Sequence, residues 1–210
     1  MLPPPPPCPD RSKGAYGAYW ARMTSLTIRP AQVFDAAFAA PLIQDTIGKI
    51  GLELTGTRDD TDAAHVIAEF FALRGNRLSF THTLIAEREG RPLGLAVAYP
   101  GDLAHALDEP FRAHRVSLGL PPGVDSEGVP GELYLDTLAV TEAARGQSLG
   151  GQLLEAVAER ARATGLPRVG LLVEDGNPAA RLYARQGFRV TGWRDLAGSR
   201  YAHMTRVVNR

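Results

Sequence analysis

Residues 144–154 read ARGQSLGGQLL, and two incompatible local structures fit them. Gly146-Gln147-Ser148-Leu149-Gly150 has the G-x-S-x-G pattern of the strand-to-helix elbow that exposes a nucleophilic serine. Begun at Arg145, the same letters describe a glycine-rich turn that opens a helix and cradles a phosphate. The flanks separate the two. An elbow needs its serine directly at the end of a strand, whereas Thr141 to Arg145, followed by Gly146 and Gln147, stand between the strand-like LYLDTLAV and Ser148. No oxyanion segment of HGGG type occurs either. The order Ser148, Asp175, His203 matches that of hydrolase triads, so a serine hydrolase is an alternative that rests on chain order alone.

The phosphate reading asks less. The start of a helix leaves about four N–H groups unpaired and carries roughly half a positive charge. Gly146, Gly150 and Gly151 allow a bulky anion close to the backbone, and Arg145 adds a permanent guanidinium. Taken alone, such a turn fits any phosphorylated ligand.

The rest of the chain is consistent with one folded unit. Of its 210 residues 44% are hydrophobic and 22% charged, which suits a single buried core and argues against wholesale disorder. Lys plus Arg and Asp plus Glu both number 23, so no net charge favours nucleic acid as a partner. The lone Cys8 leaves no internal disulfide to form. No apolar run reaches the length of a bilayer span and no h-region follows the first residues, so we expect a cytoplasmic protein with no membrane partner. The opening MLPPPPPCPD reads as polyproline II, and we take residues 1–22 as a flexible Pro-rich extension before a domain spanning 23–210. The five histidines lack ligand spacing, so no metal is expected.

Hydrophobic periodicity supplies the elements. SLTIRP (25–30) reads as a strand. Residues 31–50 read as a helix that presents Val33, Phe34, Ala37 and Phe38 on one face and breaks or kinks at Pro41. A second helix spans 61–74 behind capping oxygens at Asp59, Asp60 and Thr61 or Asp62. RLSFTHTLIAER (77–88) and LGLAVAYP (93–100) form a hairpin, and 102–118 is helical. Residues 118–132 hold three prolines and four glycines and form a loop. Then come the strand LYLDTLAV, a helix over 147–164 with Leu149, Leu153, Leu154, Val157 and Ala161 as its apolar stripe, and the strand RVGLLVE, so that a crossover helix joins two parallel strands. NPAARLYARQGF, RVTGW and RYAHMTRVV close the chain as a helix and two strands.

From 133 to 188 the sequence closely resembles the core of the GNAT superfamily of acyl-CoA-dependent N-acetyltransferases. Arg145-x-x-Ser148-x-Gly150 falls on that family's (Gln/Arg)-x-x-Gly-x-(Gly/Ala) diphosphate loop, and Asn177, Ala180, Tyr183 and Gly187-Phe188 fall on its second signature. Ser148 departs from the usual glycine. If its φ is that of an ordinary helix, the serine is tolerated and its hydroxyl can bind a phosphate oxygen, which is our expectation; a positive φ would cost about 1 kcal/mol or more.

The resemblance implies an α/β (α+β) fold. Its single sheet is mixed and twisted, mostly antiparallel, with six to seven strands, a central splayed parallel pair, and helices on both faces. It also implies acetyl-CoA as cosubstrate. The coenzyme's diphosphate would lie on Arg145, Gly146, Gln147, Ser148, Leu149, Gly150 and Gly151, its pantetheine arm along Leu138, Ala139 and Val140, and further contacts would come from Asn177, Ala180 and Tyr183. Transfer would run directly to a primary amine, on a small molecule or a peptide, in a ternary complex. Such an amine is about 99.9% ammonium at neutral pH, so a proton must leave before it can attack. Strand alternation sets Glu132, Tyr134 and Asp136 on one face, and Asp136, then Glu132, are the candidate bases; either carboxylate could equally fix a neighbouring loop. Tyr183 is the candidate acid for the departing thiolate, with an aromatic packing role as the competing reading. Asn177 either caps its helix or touches the coenzyme. Acceptor choice is expected from residues 45–65 and 118–132, where Asp59, Asp60 and Asp62 either recruit a cation or cap a helix. His203 is expected as a strand residue bordering that pocket. A homodimer is compatible with all of this, as is a non-catalytic module that only binds acyl-CoA.

Overall fold

In Leu133–Val140 apolar residues alternate, but the alternation changes phase midway, and this irregularity shapes the molecule. In the computed structural model, which describes residues 26–208, this strand is β4 of a seven-stranded sheet. The others are β1 (Leu26–Pro30), β2 (Thr83–Arg88), β3 (Arg91–Pro100), β5 (Arg168–Glu174), β6 (Arg189–Leu196) and β7 (Ser199–Val207). Their order is β1-β2-β3-β4-β5-β7-β6, and every pairing is antiparallel except β4 with β5. The expectations for residues 1–22, Cys8 and the first residue of the domain lie outside the described residues.

The phase change is a β-bulge. Ala98 pairs with Leu135 and Val97 with Thr137, so Asp136 is an extra residue. One inserted residue exchanges the faces of everything beyond it. Leu133 and Leu135 therefore pack on the same side as Leu138 and Val140, while Ala139 turns to the opposite core.

That first side is covered by α5 (Leu149–Ala163), whose Leu153, Leu154, Val157, Ala158 and Ala161 meet Val169, Leu171 and Val173 of β5. α6 (Ala179–Arg185) follows β5 and leans on the same core. The other side carries α1 (Ala36–Ile47), α2 (Lys49–Thr55), α3 (Asp60–Ala72) and α4 (Ala104–Ser117). Ile43, Ile67, Phe71 and Phe111 from these helices pack on Ile85, Leu95 and Val97.

Three local expectations are corrected. α1 runs through Pro41, near enough to the helix start that only the Ala37 carbonyl loses a partner, and it stops instead at Gly48, where φ is +49°. Its buried face is Ala39, Ala40, Ile43 and Gln44; Val33 and Phe34 lie in a preceding 3-10 turn, 48% and 77% exposed, with the Arg29 guanidinium 5.7 Å from the Phe34 ring. The strand expected from residue 77 begins only at Thr83. Asn76 turns the chain first, its amide donating to the Phe70 carbonyl at 2.8 Å and its Oδ1 accepting the Leu78 N–H at 3.0 Å.

The consequence is that Arg77, 1% exposed, enters the interior. It donates from Nε to Asp136 Oδ2 at 2.7 Å, from Nη1 to Asp108 Oδ1 at 3.4 Å and from Nη2 to Glu127 Oε1. One cation thus ties β4, α4 and the 118–132 loop together. Replacing it would strand three buried carboxylates, so Arg77→Met should lose about 3–5 kcal/mol of stability, measured by urea denaturation.

Candidate active site

β4 and β5 pair over only three residues, Leu133 with Val169, Tyr134 with Gly170 and Leu135 with Leu171. Beyond these the strands diverge, and β4 keeps β3 on one edge only. Two cavities open in the gap. The larger, about 680 Å³, runs from Leu138, Ala139 and Val140 past Arg145, Gly146, Ser148 and Gly150 to Leu182, Tyr183 and Gln186. The smaller, about 330 Å³, lies against Tyr134, Asp136, Glu127, Leu172, Glu174 and Tyr201. Thr46, Leu138, Ala179 and Tyr183 line both, so the two meet at Tyr183.

The glycine-rich turn before α5 leaves main-chain donors unpaired. A 3-10 turn at Glu142–Ala144 follows β4, Gly146 takes φ +76°, and Ser148 precedes the first residue of α5. Gln152 N–H is the first to find an intrahelical partner, the Ser148 carbonyl at 3.2 Å, which leaves the amides of Leu149, Gly150 and Gly151 at a positive helix end. Diphosphate chemistry fits these donors together with the exposed Arg145.

Ser148 overturns the helical φ expected of it: its φ is +62° and ψ 13°, the left-handed region. A non-glycine residue there is strained. The serine-elbow alternative also loses its geometry. Both His203 ring nitrogens have other partners, Nε2 facing Glu132 Oε2 at 3.1 Å and Nδ1 facing Thr191 Oγ1 at 3.3 Å.

Gly150 and Gly151 serve the fold as well. A Cβ on Gly150 would stand 3.1 Å from Leu182 Cδ2, and one on Gly151 3.0 Å from Gln186 Nε2. Their bareness lets α6 lie against the start of α5, which brings Tyr183 to the junction. Tyr183 packs edge-on against Phe188 at 5.9 Å, and burial pushes its phenol up to about 12. Asn177 Oδ1 accepts the Ala179 N–H at 2.9 Å as a helix-entry cap, and its side chain borders the smaller cavity. Gly187, at φ +86°, ends the helix. Ala180 packs into the core and lines neither cavity. Gln147 also stands outside them, held between the Ala143 carbonyl and Arg88.

The two carboxylates named from the sequence already have partners. Asp136 Oδ2 accepts from Arg77 and from Tyr99 OH at 3.3 Å, and its Oδ1 from Thr137 Oγ1 at 3.0 Å. Glu132 is fully buried beside His203 and outside both cavities. Gly170 gives it that space, since a Cβ there would stand 2.2 Å from Glu132 Oε2. His203 accordingly does not border the smaller cavity. Asp59 caps α3, accepting from the Thr61 and Asp62 amides at 3.0 Å. The sequence reading missed Glu127 within the loop and the contribution of Ala197, Ser199 and Tyr201 from the β6–β7 hairpin. Alternation along β7 could have aimed Tyr201 at this face; nothing local pointed to Glu127.

Residues 52–188 match the profile of the Acetyltransferase (GNAT) family. The chain belongs to that family. As a GNAT protein it is similar to L-methionine sulfoximine/L-methionine sulfone acetyltransferases of Pseudomonas paraeruginosa (strain DSM 24068 / PA7) and Pseudomonas aeruginosa (strain PAO1), each 43% identical over 58 residues, which are 27% of this chain and 34% of theirs. The match thus spans about a third of those relatives' length. A crystal structure described as an acetyltransferase aligns with TM-score 0.71 and 34% identity over 87% of this chain and 100% of its own. An N-acetyltransferase from Staphylococcus aureus Mu50 shares the fold, with TM-score 0.74 and 23% identity over 85% and 99% of the two chains. Among the described residues no helix is long and apolar enough to cross a membrane.

Ser148→Gly relieves the left-handed strain and should stabilise the protein by about 0.5–1 kcal/mol, part of the relief being offset by the freer unfolded chain. Thermal and urea unfolding would check it.

Proposed function

We propose that this GNAT protein is an N-acetyltransferase that moves an acetyl group from acetyl-CoA directly to a primary amine in a ternary complex. The observation that carries the reading is that the cavity beside the glycine-rich turn and a second cavity holding Asp136 and Glu127 meet at Tyr183. The diphosphate would be held by the amides at the start of α5 and by Arg145, and the pantetheine by the unpaired edge of Leu138–Val140. The Pseudomonas relatives, by their names, acetylate an amino compound, and this supports an amine acceptor here.

In the reaction the amine nitrogen attacks the thioester carbonyl, the C–S bond breaks, and the sulfur leaves as a thiolate that needs a proton. Tyr183 is the proposed donor. Its raised pKa keeps it protonated through the neutral range and makes it a weak acid, so its proton would move only as charge builds on sulfur. The divergence of β4 from β5 frees main-chain N–H groups, and one of them could stabilise the oxyanion, a role worth roughly 3–4 kcal/mol elsewhere. Asp136, which accepts from Arg77, Tyr99 and Thr137, is read as an organiser of the cavity floor, with water taking the amine's proton. Glu132 is read as a structural partner of His203.

Tyr183→Phe should lower kcat about 100-fold with little change in the KM for acetyl-CoA, and Arg145→Ala should raise that KM about tenfold with kcat preserved. Thiol release measured against a panel of amines reads both. A purely coenzyme-binding protein would release no thiol with any amine, and unchanged turnover in Tyr183→Phe would remove its acid role.

A further inference from the structure

Glu127 is the buried carboxylate of the smaller cavity with the fewest hydrogen-bond donors. It is 5% exposed. Oε1 accepts from Arg77 and Oε2 from Tyr134 OH at 2.7 Å, two donors for about four lone-pair sites. Asp136, by contrast, accepts from three donors, and Glu174 sits exposed at the mouth where water screens it.

The loop around Glu127 is held in place. Gly101 and Gly128 lie back to back, where a Cβ on Gly101 would strike the Val129 carbonyl oxygen at 2.0 Å. Arg112 donates to the Val124 carbonyl at 2.9 Å and to Ser126 Oγ at 3.1 Å, and Arg194 to the Ser126 carbonyl at 2.7 Å. Ser126 in turn donates to Asp108 at 2.6 Å. A carboxylate so fixed costs little further ordering when it receives a ligand.

The guanidinium groups nearby do not offer a seat for an anion. The three donor nitrogens of Arg77 go to Asp108, Glu127 and Asp136, while Arg112 and Arg194 serve the loop. Lys49, exposed at the rim, is the one lysine or arginine lining the cavity. An acceptor's carboxylate would face Glu127 and Asp136 with no guanidinium free to pair with it.

Resting on the acetyltransferase reading, we propose that Glu127 selects the acceptor by pairing with a second cationic nitrogen, so that the substrate class is diamines and other amines with a basic tail rather than α-amino acids. The buried position makes the ammonium–carboxylate hydrogen bond stronger than a surface pair would be.

The test compares kcat/KM for 1,4-diaminobutane, butylamine and L-methionine sulfone in the full-length protein and in Glu127→Gln. The expected result is a preference for the diamine of tenfold or more over both others. In Glu127→Gln that preference should fall to about twofold, with the KM for acetyl-CoA unchanged as a check on the fold. Equal turnover of butylamine, a preference for the amino acid, or a preference that survives Glu127→Gln would overturn the inference and leave the transferase reading standing. The wild-type ranking decides even if the variant does not fold. Thiol release with none of the three, accompanied by no acetyl-CoA binding in calorimetry, would remove the transferase reading and the inference together.

Discussion

Everything distinctive in this protein follows from the inability of β4 to stay paired with β5. Three parallel pairs form, and then the extra residue at Asp136 shifts the phase of β4. The gap is not empty strand edge exposed to water, since helices approach it from both faces. α1 and α2 bring Thr46 to Ile50 to one cavity, and α5 and α6 frame the other. An unpaired sheet edge is ordinarily a liability. Here it is enclosed by those helices and lines the larger cavity.

The same bulge explains why a strongly charged cluster is tolerated in the interior. The extra residue turns Asp136 towards Arg77, and Arg77 answers Asp108 and Glu127 as well. Burial by itself disfavours the charged form of any ionisable group. The neighbouring carboxylates outweigh burial for Arg77 and hold it well above its ordinary value, whereas for Asp108 burial prevails and its carboxyl is raised. A network of this kind adds little net stability over an apolar core of equal volume. What it does supply is a fixed position for the polar floor of the smaller cavity.

The small residues divide along similar lines. Gly146 is needed for its positive φ, while Gly150, Gly151 and Gly170 are needed for the space a side chain would take. Ser148 occupies a left-handed position without glycine's freedom, and its strain sits in the turn that faces the larger cavity. Strain at ligand-binding turns is common where the surrounding structure holds the conformation in place.

The sequence by itself determined most of the elements, the crossover between two parallel strands and the glycine-rich turn that opens α5, because these depend on short-range periodicity, capping chemistry and glycine placement. β5 runs over the residues its apolar letters mark, and Gly187 ends its helix as a left-handed stop. Tertiary structure alone decided the rest. Arg77 looks like the polar start of a strand until three carboxylates from distant segments converge on it. Glu132 and Asp136 look like free bases until His203 and Arg77 are seen beside them. Glu127 is one residue in a Pro- and Gly-rich loop until Arg112 and Arg194 pin that loop over the cavity. The side chains in these pairs lie tens of residues apart, and one-dimensional patterns carry no information about which distant charges will meet.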